Sequence, residues 1–186
     1  MKKLLFCLMF FVFAFGTEKD YDKIQAEDRL SNESIGYLKA CEENDDIESC
    51  DKIAEVYEKG FDSRSNEYKA NIYKGKSCDL RHKKIMSFNT AQEFKKQLKA
   101  KARIALSGNK CSIVGDYYKE RERLGVEGSL EKAKSFYSKA CDLQNGYCEK
   151  ILSFYDKNSK EYKKLWLKSK MVKGGSAMFS VGEILF

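Results

Sequence analysis

Apolar positions recur along this chain at helical spacing. From Cys111 the apolar and small positions are Val114, Gly115 and Tyr118, three, four and seven residues on. That spacing is one face of an α-helix. A glycine-bearing break, Leu124-Gly125-Val126-Glu127-Gly128, follows. A second helical run then carries Ala133, Phe136, Tyr137 and Ala140 to Cys141, and a short polar turn through Asn145-Gly146 leads to Cys148. Ser129 stands where a side-chain N-cap is expected, since a hydroxyl there accepts a bond from a first-turn N–H.

The same unit is written elsewhere. Twelve residues before Cys141, Cys78 and Met171 lie Ser129, Asn66 and Ser159; five before them lie Phe136, Tyr73 and Trp166. Three, four and seven residues after Cys50 lie Ile53, Ala54 and Tyr57; after Cys148, Ile151, Leu152 and Tyr155; after Met178, Val181, Gly182 and Leu185. A period of this length predicts tandem helix pairs that bury their apolar faces on one another. Strand-like alternation is absent and the chain has no proline. The expected fold is therefore all-α, an α-solenoid of antiparallel helix pairs.

These residues resemble the Sel1-like repeats. Tyr137-Ser138-Lys139-Ala140-Cys141 followed by Cys148 is similar to the secreted cysteine-rich branch of that family, the Helicobacter cysteine-rich protein type. The resemblance spans roughly residues 20–186. Its cysteine spacing is not constant: eight residues separate Cys41 from Cys50 and six separate Cys141 from Cys148. The resemblance implies a tetratricopeptide-like helix-pair scaffold that binds a protein, a peptide or a cell-wall fragment. Members of this branch are commonly labelled beta-lactamase, which implies penicillin binding or slow hydrolysis as the alternative function.

Residues 1–16 read as a signal peptide: Lys2-Lys3, an apolar run from Leu4 to Phe15, and Ala14-Phe15-Gly16 at the cleavage position. The run is shorter than the roughly 20 apolar residues a spanning helix needs. The expectation is a periplasmic or secreted protein, residues 17–186, with no stable membrane insertion once the leader is gone. The net charge of +7 would fall to about +5 without Lys2 and Lys3.

Export makes the cysteines legible. Without Cys7 six remain, an even number in an oxidising compartment. There is no Cys-x-x-Cys, and His82 is the single histidine, so disulfides are favoured over a metal site, and no cofactor is expected. Cys41–Cys50 and Cys141–Cys148 each sit across a turn between antiparallel helices, which suits a disulfide. For Cys78 and Cys111 two arrangements stay open. Residues 79–110 read as a degenerate or inserted helix pair, Leu80–Phe88 plus Thr90–Leu106. A looped-out insert lets the two cysteines meet; a full repeat puts them at successive boundaries. An oxidising compartment favours pairing.

Other chemistry is thin. Glu42, Glu43, Asp45, Asp46, Glu48 and Asp51 read as a solvated acidic turn without a calcium-loop pattern. Lys95, Lys96, Lys99 and Arg103 form one basic helical face, best taken as solvated surface. No nucleic-acid motif is present. Ser-x-x-Lys occurs at Ser49–Lys52, Ser107–Lys110 and Ser129–Lys132, but the Ser-Asp-Asn and Lys-Thr-Gly partners of a serine lactamase are missing. No catalytic residue is assigned. Trp166 falls at a core position of the repeat. Met171 and Met178 have the separation of Cys141 and Cys148, like a cysteine pair replaced by apolar residues.

Overall fold

The computed structural model describes residues 20–60, 66–87 and 100–170. Residues 1–16, expected to be a leader, the Thr90 cap, Lys95, Lys96 and Lys99 of the expected basic face, and the Met171/Met178 pair lie outside the described residues.

The described chain is all-helical, with eight α-helices. They are α1 (Tyr21–Asp28), α2 (Asn32–Asn44), α3 (Ile47–Lys59), α4 (Glu67–Met86), α5 (Ala100–Arg123), α6 (Ser129–Leu143), α7 (Cys148–Ile151) and α8 (Lys160–Lys170). Two 3-10 turns, Asn145–Tyr147 and Leu152–Phe154, flank α7.

Local chemistry sets most boundaries. Asp20, Ser31, Asp46 and Asn66 cap α1 to α4, each accepting a bond from the N–H three residues on. The Ser159 hydroxyl accepts from the Tyr162 N–H at 3.1 Å at the start of α8. Such a bond satisfies one of the orphan donors of a first turn. At the far end of α3, Gly60 takes a left-handed φ of 66°, which costs a residue without Cβ nothing.

Ser129 departs from its expected role. It is the first residue of α6, and the N-cap is Gly128, in the left-handed region with no side-chain cap bond. The turn closes through the backbone instead, Ser129 N–H to Val126 C=O at 3.3 Å, and the Ser129 side chain is buried. A left-handed glycine at the junction shifts the helix start by one residue.

The segment 79–110 also differs. Leu80 to Met86 is no separate helix; α4 runs unbroken through Cys78. Likewise α5 begins at Ala100 and runs through Cys111. Cys78 therefore does not close a helix, and Cys111 does not open one. No proline or left-handed glycine interrupts Ser77–Ile85, so the helix continues past the cysteine. The acidic turn shrinks in the same way: α2 reaches Asn44 and α3 starts at Ile47, leaving only Asp45 and Asp46 between them.

Successive helices pack on one another, α1 on α2 and so on through α6, and α4 also meets α6. The first cluster of core residues is Leu30, Ile35, Leu38, Cys41, Cys50, Ile53, Tyr57 and Ala70. The second is Val114, Tyr118, Ala133, Tyr137, Cys141, Cys148 and Ile151. Cys78, Cys111, Ala140 and Leu143 form a third between them. Two helix pairs carry the same ring stack. Tyr57 of α3 lies parallel to Tyr73 of α4 at 5.8 Å, and Tyr118 of α5 lies parallel to Phe136 of α6 at 5.8 Å. In both, one ring stands seven residues after a cysteine and the other five before one. Gly115 makes room for this packing: a Cβ there would meet the Tyr137 ring at 2.7 Å.

Candidate functional site

Three disulfides hold the described chain. Cys41–Cys50 and Cys141–Cys148 bridge α2 to α3 and α6 to α7, with Cα separations of 4.8 and 4.3 Å. Cys78–Cys111 bridges α4 to α5 at 5.2 Å. All six cysteines are buried. A sulfur that solvent cannot reach is not open to thiol exchange, so these bonds hold structure.

Beside the middle disulfide sits a charged hub that sequence reasoning placed in the solvated turn. Asp51, on α3, accepts from the Ser77 hydroxyl at 2.6 Å, pairs with Lys110 at 2.5 Å, and also pairs with Arg81. Burial pushes its carboxyl up. The bonds from Lys110 and Ser77, with the charges of Arg81 and Lys110, outweigh that and hold it below its ordinary value. Asp51 thus ties α3 to α4 and α5. One signal was available: Asp51, Ser77 and Lys110 are each sequence neighbours of a cysteine.

The buried tyrosines are anchored by acids. Tyr57 donates to Asp28 at 2.7 Å, and Lys69 reaches the same carboxylate at 2.7 Å. Tyr137 donates to Asp116 at 2.7 Å, and Lys150 pairs with that carboxylate at 2.5 Å. Burial, then the adjacent carboxylate, raises both phenol pKa values well above 10. Neither tyrosine is therefore a poised acid or base at neutral pH.

The three Ser-x-x-Lys motifs lie on α3, α5 and α6. The Ser49 N–H serves the Asp46 cap, and Lys52 reaches the Tyr37 hydroxyl at 3.3 Å. Ser107 is buried while Lys110 is committed to Asp51. Lys132 lies over the Tyr118 ring, 5.2 Å from its centre. His82 faces Asp142 at 3.2 Å. Among the described residues no group of three or more His, Cys, Asp or Glu could hold a metal ion. No helix among them is long and apolar enough to cross a membrane.

Two open surfaces stand out among the described residues. One is a shallow apolar depression of about 330 Å³ on α8 and the turn before it, lined by Lys157, Tyr162, Lys163, Trp166 and Leu167. Trp166 is 44% exposed. Its expected core position is thus corrected: α8 turns Leu165 toward the second core, and Trp166 points away.

The other is a cleft of about 500 Å³ where α3, α4 and α5 meet. From α3 comes Glu58; from α4, Glu67, Ala70, Asn71 and Lys74; from α5, Ile113, Tyr117, Glu120 and Arg121; and from the turn just after α5, Leu124. Ile113 and Leu124 are exposed, Leu124 at 73%. Lys74 pairs with Glu58 at 2.7 Å. Arg121 stands 5.6 Å from the ring centres of both Tyr68 and Tyr117. Asn71 is 5% exposed; its amide nitrogen donates to the Glu67 carbonyl at 2.9 Å, and its Oδ1 has no donor. A buried acceptor without a partner carries a desolvation cost of about 1–3 kcal/mol. Sequence reasoning missed this cleft because its walls come from two different helix pairs.

Comparison of the chain with family models, with characterised proteins and with solved structures finds no match.

Proposed function

We propose that this protein is an exported helix-pair scaffold of Sel1-like type that binds a protein or peptide in the cleft between α4 and α5. The observation that carries this reading is the cleft itself. It joins exposed apolar side chains, Ile113 and Leu124, to an orphan hydrogen-bond acceptor, Asn71. Concave sites with an apolar wall and a few placed polar groups are how proteins hold ligands. The matched ring stacks in α3–α4 and α5–α6 support the repeat reading. Three buried disulfides and the leader-like residues 1–16 support export to the periplasm or beyond.

The test is panning of a random peptide library on the oxidised protein and on its Leu124→Asp variant. Enriched peptides should bind the parent and lose affinity by about tenfold or more on the variant. Equal enrichment on both would place binding elsewhere and overturn the assignment.

A further inference from the structure

We infer that the outward face of α8 docks on membrane surfaces that carry anionic headgroups. This is a second site, independent of the reading of the cleft.

Helix α8 is held to the protein from one side. Leu165 packs on the second core, and Ser169 is 3% exposed. Lys168 pairs with Asp142 of α6 and Lys170 with Glu149 of α7, each at 3.3 Å. The other side is open. Lys163, Lys164 and Leu167 stand three, four and seven residues on from Lys160, the spacing of one helical face, and Trp166 and Lys170 stand beside them. All six are exposed, Trp166 at 44% and Leu167 at 56%. No acid lies on this face. Glu161 falls past its edge, and Asp156, in the turn before α8, accepts from the Asn158 N–H at 2.6 Å. Against these two acids stand Lys157, Lys160, Lys163 and Lys164, which have no ion-pair partner among the described residues. The charge left over on this face is therefore positive, and it surrounds the two exposed apolar side chains.

That mixture suits lipid better than protein. Lysine is depleted from the centres of protein–protein interfaces, where its long stem is costly to fix and its charge costly to dry. At a lipid surface the lysine stems lie along the apolar boundary and carry their ammonium groups to the phosphates. The Trp166 ring matches the headgroup level, where an apolar body and a polar N–H are both served. Leu167 enters the acyl boundary beside it. The depression between them is shallow and apolar and encloses no soluble ligand. Attachment is peripheral. The 11 residues of α8 span roughly 17 Å, against about 30 Å for a bilayer's hydrocarbon core, so the helix lies along the surface and does not cross it.

Trp166 is the single tryptophan of the chain, so its fluorescence reports on this face alone. The full chain, expressed with its own leader and purified with its disulfides intact, is titrated with vesicles of mixed phosphatidylglycerol and phosphatidylcholine, and with vesicles of phosphatidylcholine only. The anionic vesicles should shift Trp166 emission to the blue and shield it from acrylamide, with an apparent affinity at least about tenfold above that for the neutral ones. Leu167→Glu should abolish the shift. Lys160→Gln with Lys163→Gln should weaken binding to anionic vesicles by about tenfold or more. All three side chains are exposed, so helix content by circular dichroism should not change. No shift with either vesicle, or equal shifts with both, would overturn the inference. So would the same shift with soluble polyglutamate and no lipid, which would assign the face to an acidic protein. A Trp166 shielded from acrylamide without vesicles would show the face covered by its own chain or, if shielding rises with protein concentration, by a second copy, and would overturn it too. Vesicle co-sedimentation that survives Leu167→Glu would place the lipid contact elsewhere in the chain, with the same result.

Discussion

The α3–α4 and α5–α6 pairs occupy the same register and solve the same packing problem with different polar chemistry. Each stacks an aromatic ring seven residues after a cysteine on one five residues before the next. In α3–α4 the leading ring is Tyr57, whose hydroxyl goes to Asp28 on α1. In α5–α6 the leading ring is Tyr118, and the acid-anchored phenol is Tyr137, on the other helix of the pair. Register therefore fixes which side chains are buried, while the hydrogen bonds depend on which neighbour supplies an acid. Apolar burial needs only a face; a buried hydroxyl needs a particular partner at a particular distance.

The largest difference between the pairs is expected at the disulfides. Cys78 and Cys111 are 33 residues apart, against 9 and 7 for the hairpin bonds. Chain-entropy reasoning gives about 4 kcal/mol for the long loop and about 2.5 kcal/mol for each short one. The Cys78→Ala, Cys111→Ala protein should therefore lose more stability in urea than the Cys141→Ala, Cys148→Ala protein. The reverse order would show that the hairpin bond, not the middle staple, governs the union of the two pairs.

Next is the hub that joins them. Asp51→Asn leaves Arg81 and Lys110 facing each other without a counter-charge and should cost about 2 kcal/mol. The sign with pH follows from the depressed carboxyl. Its contribution is present above the ordinary value near 3.8 and is lost as pH falls through the lower folded value. Acid unfolding of the parent should be steeper than that of Asp51→Asn; identical acid limbs count against the hub.

Two glycines extend the contrast. Gly115→Ala forces a Cβ against Tyr137 and should destabilise by about 2 kcal/mol. Gly36, in exposed mid-helix α2, has nothing within 4 Å of its ideal Cβ. There the same substitution should stabilise by about 0.5–1 kcal/mol through helix propensity. Thermal melts that moved both proteins the same way would contradict this.

The smallest effect separates the two register-matched tyrosines. Tyr57→Phe deprives Asp28 of a hydroxyl and should cost about 1.5 kcal/mol. Tyr118→Phe removes a hydroxyl whose ring is held by stacking, and should stay within about 0.5 kcal/mol. Alkaline titration offers a second readout. Tyr57 is held neutral in the fold, so its contribution is complete below the unfolded value near 10 and is lost as pH rises toward the higher folded value.

Much of this architecture is legible in the amino-acid sequence. Asn66, Ser159 and Gly60 mark helix ends because capping and left-handed turns are settled within a few residues. Ile53, Tyr57, Val114, Ala133 and Ile151 read as core because helical periodicity is local. The remainder involves residues far apart in the chain and emerges only from the folded arrangement. The helices α4 and α5 run on through Cys78 and Cys111, which the repeat spacing hid. Asp51 leaves the acidic turn for a site made by residues 26 and 30 positions downstream. Trp166 turns outward because α8 docks through Leu165, and Asn71 ends beside Ile113 and Leu124 because α4 meets α5. Helix faces follow from near neighbours in the chain, but which polar group meets which is set only when those faces dock.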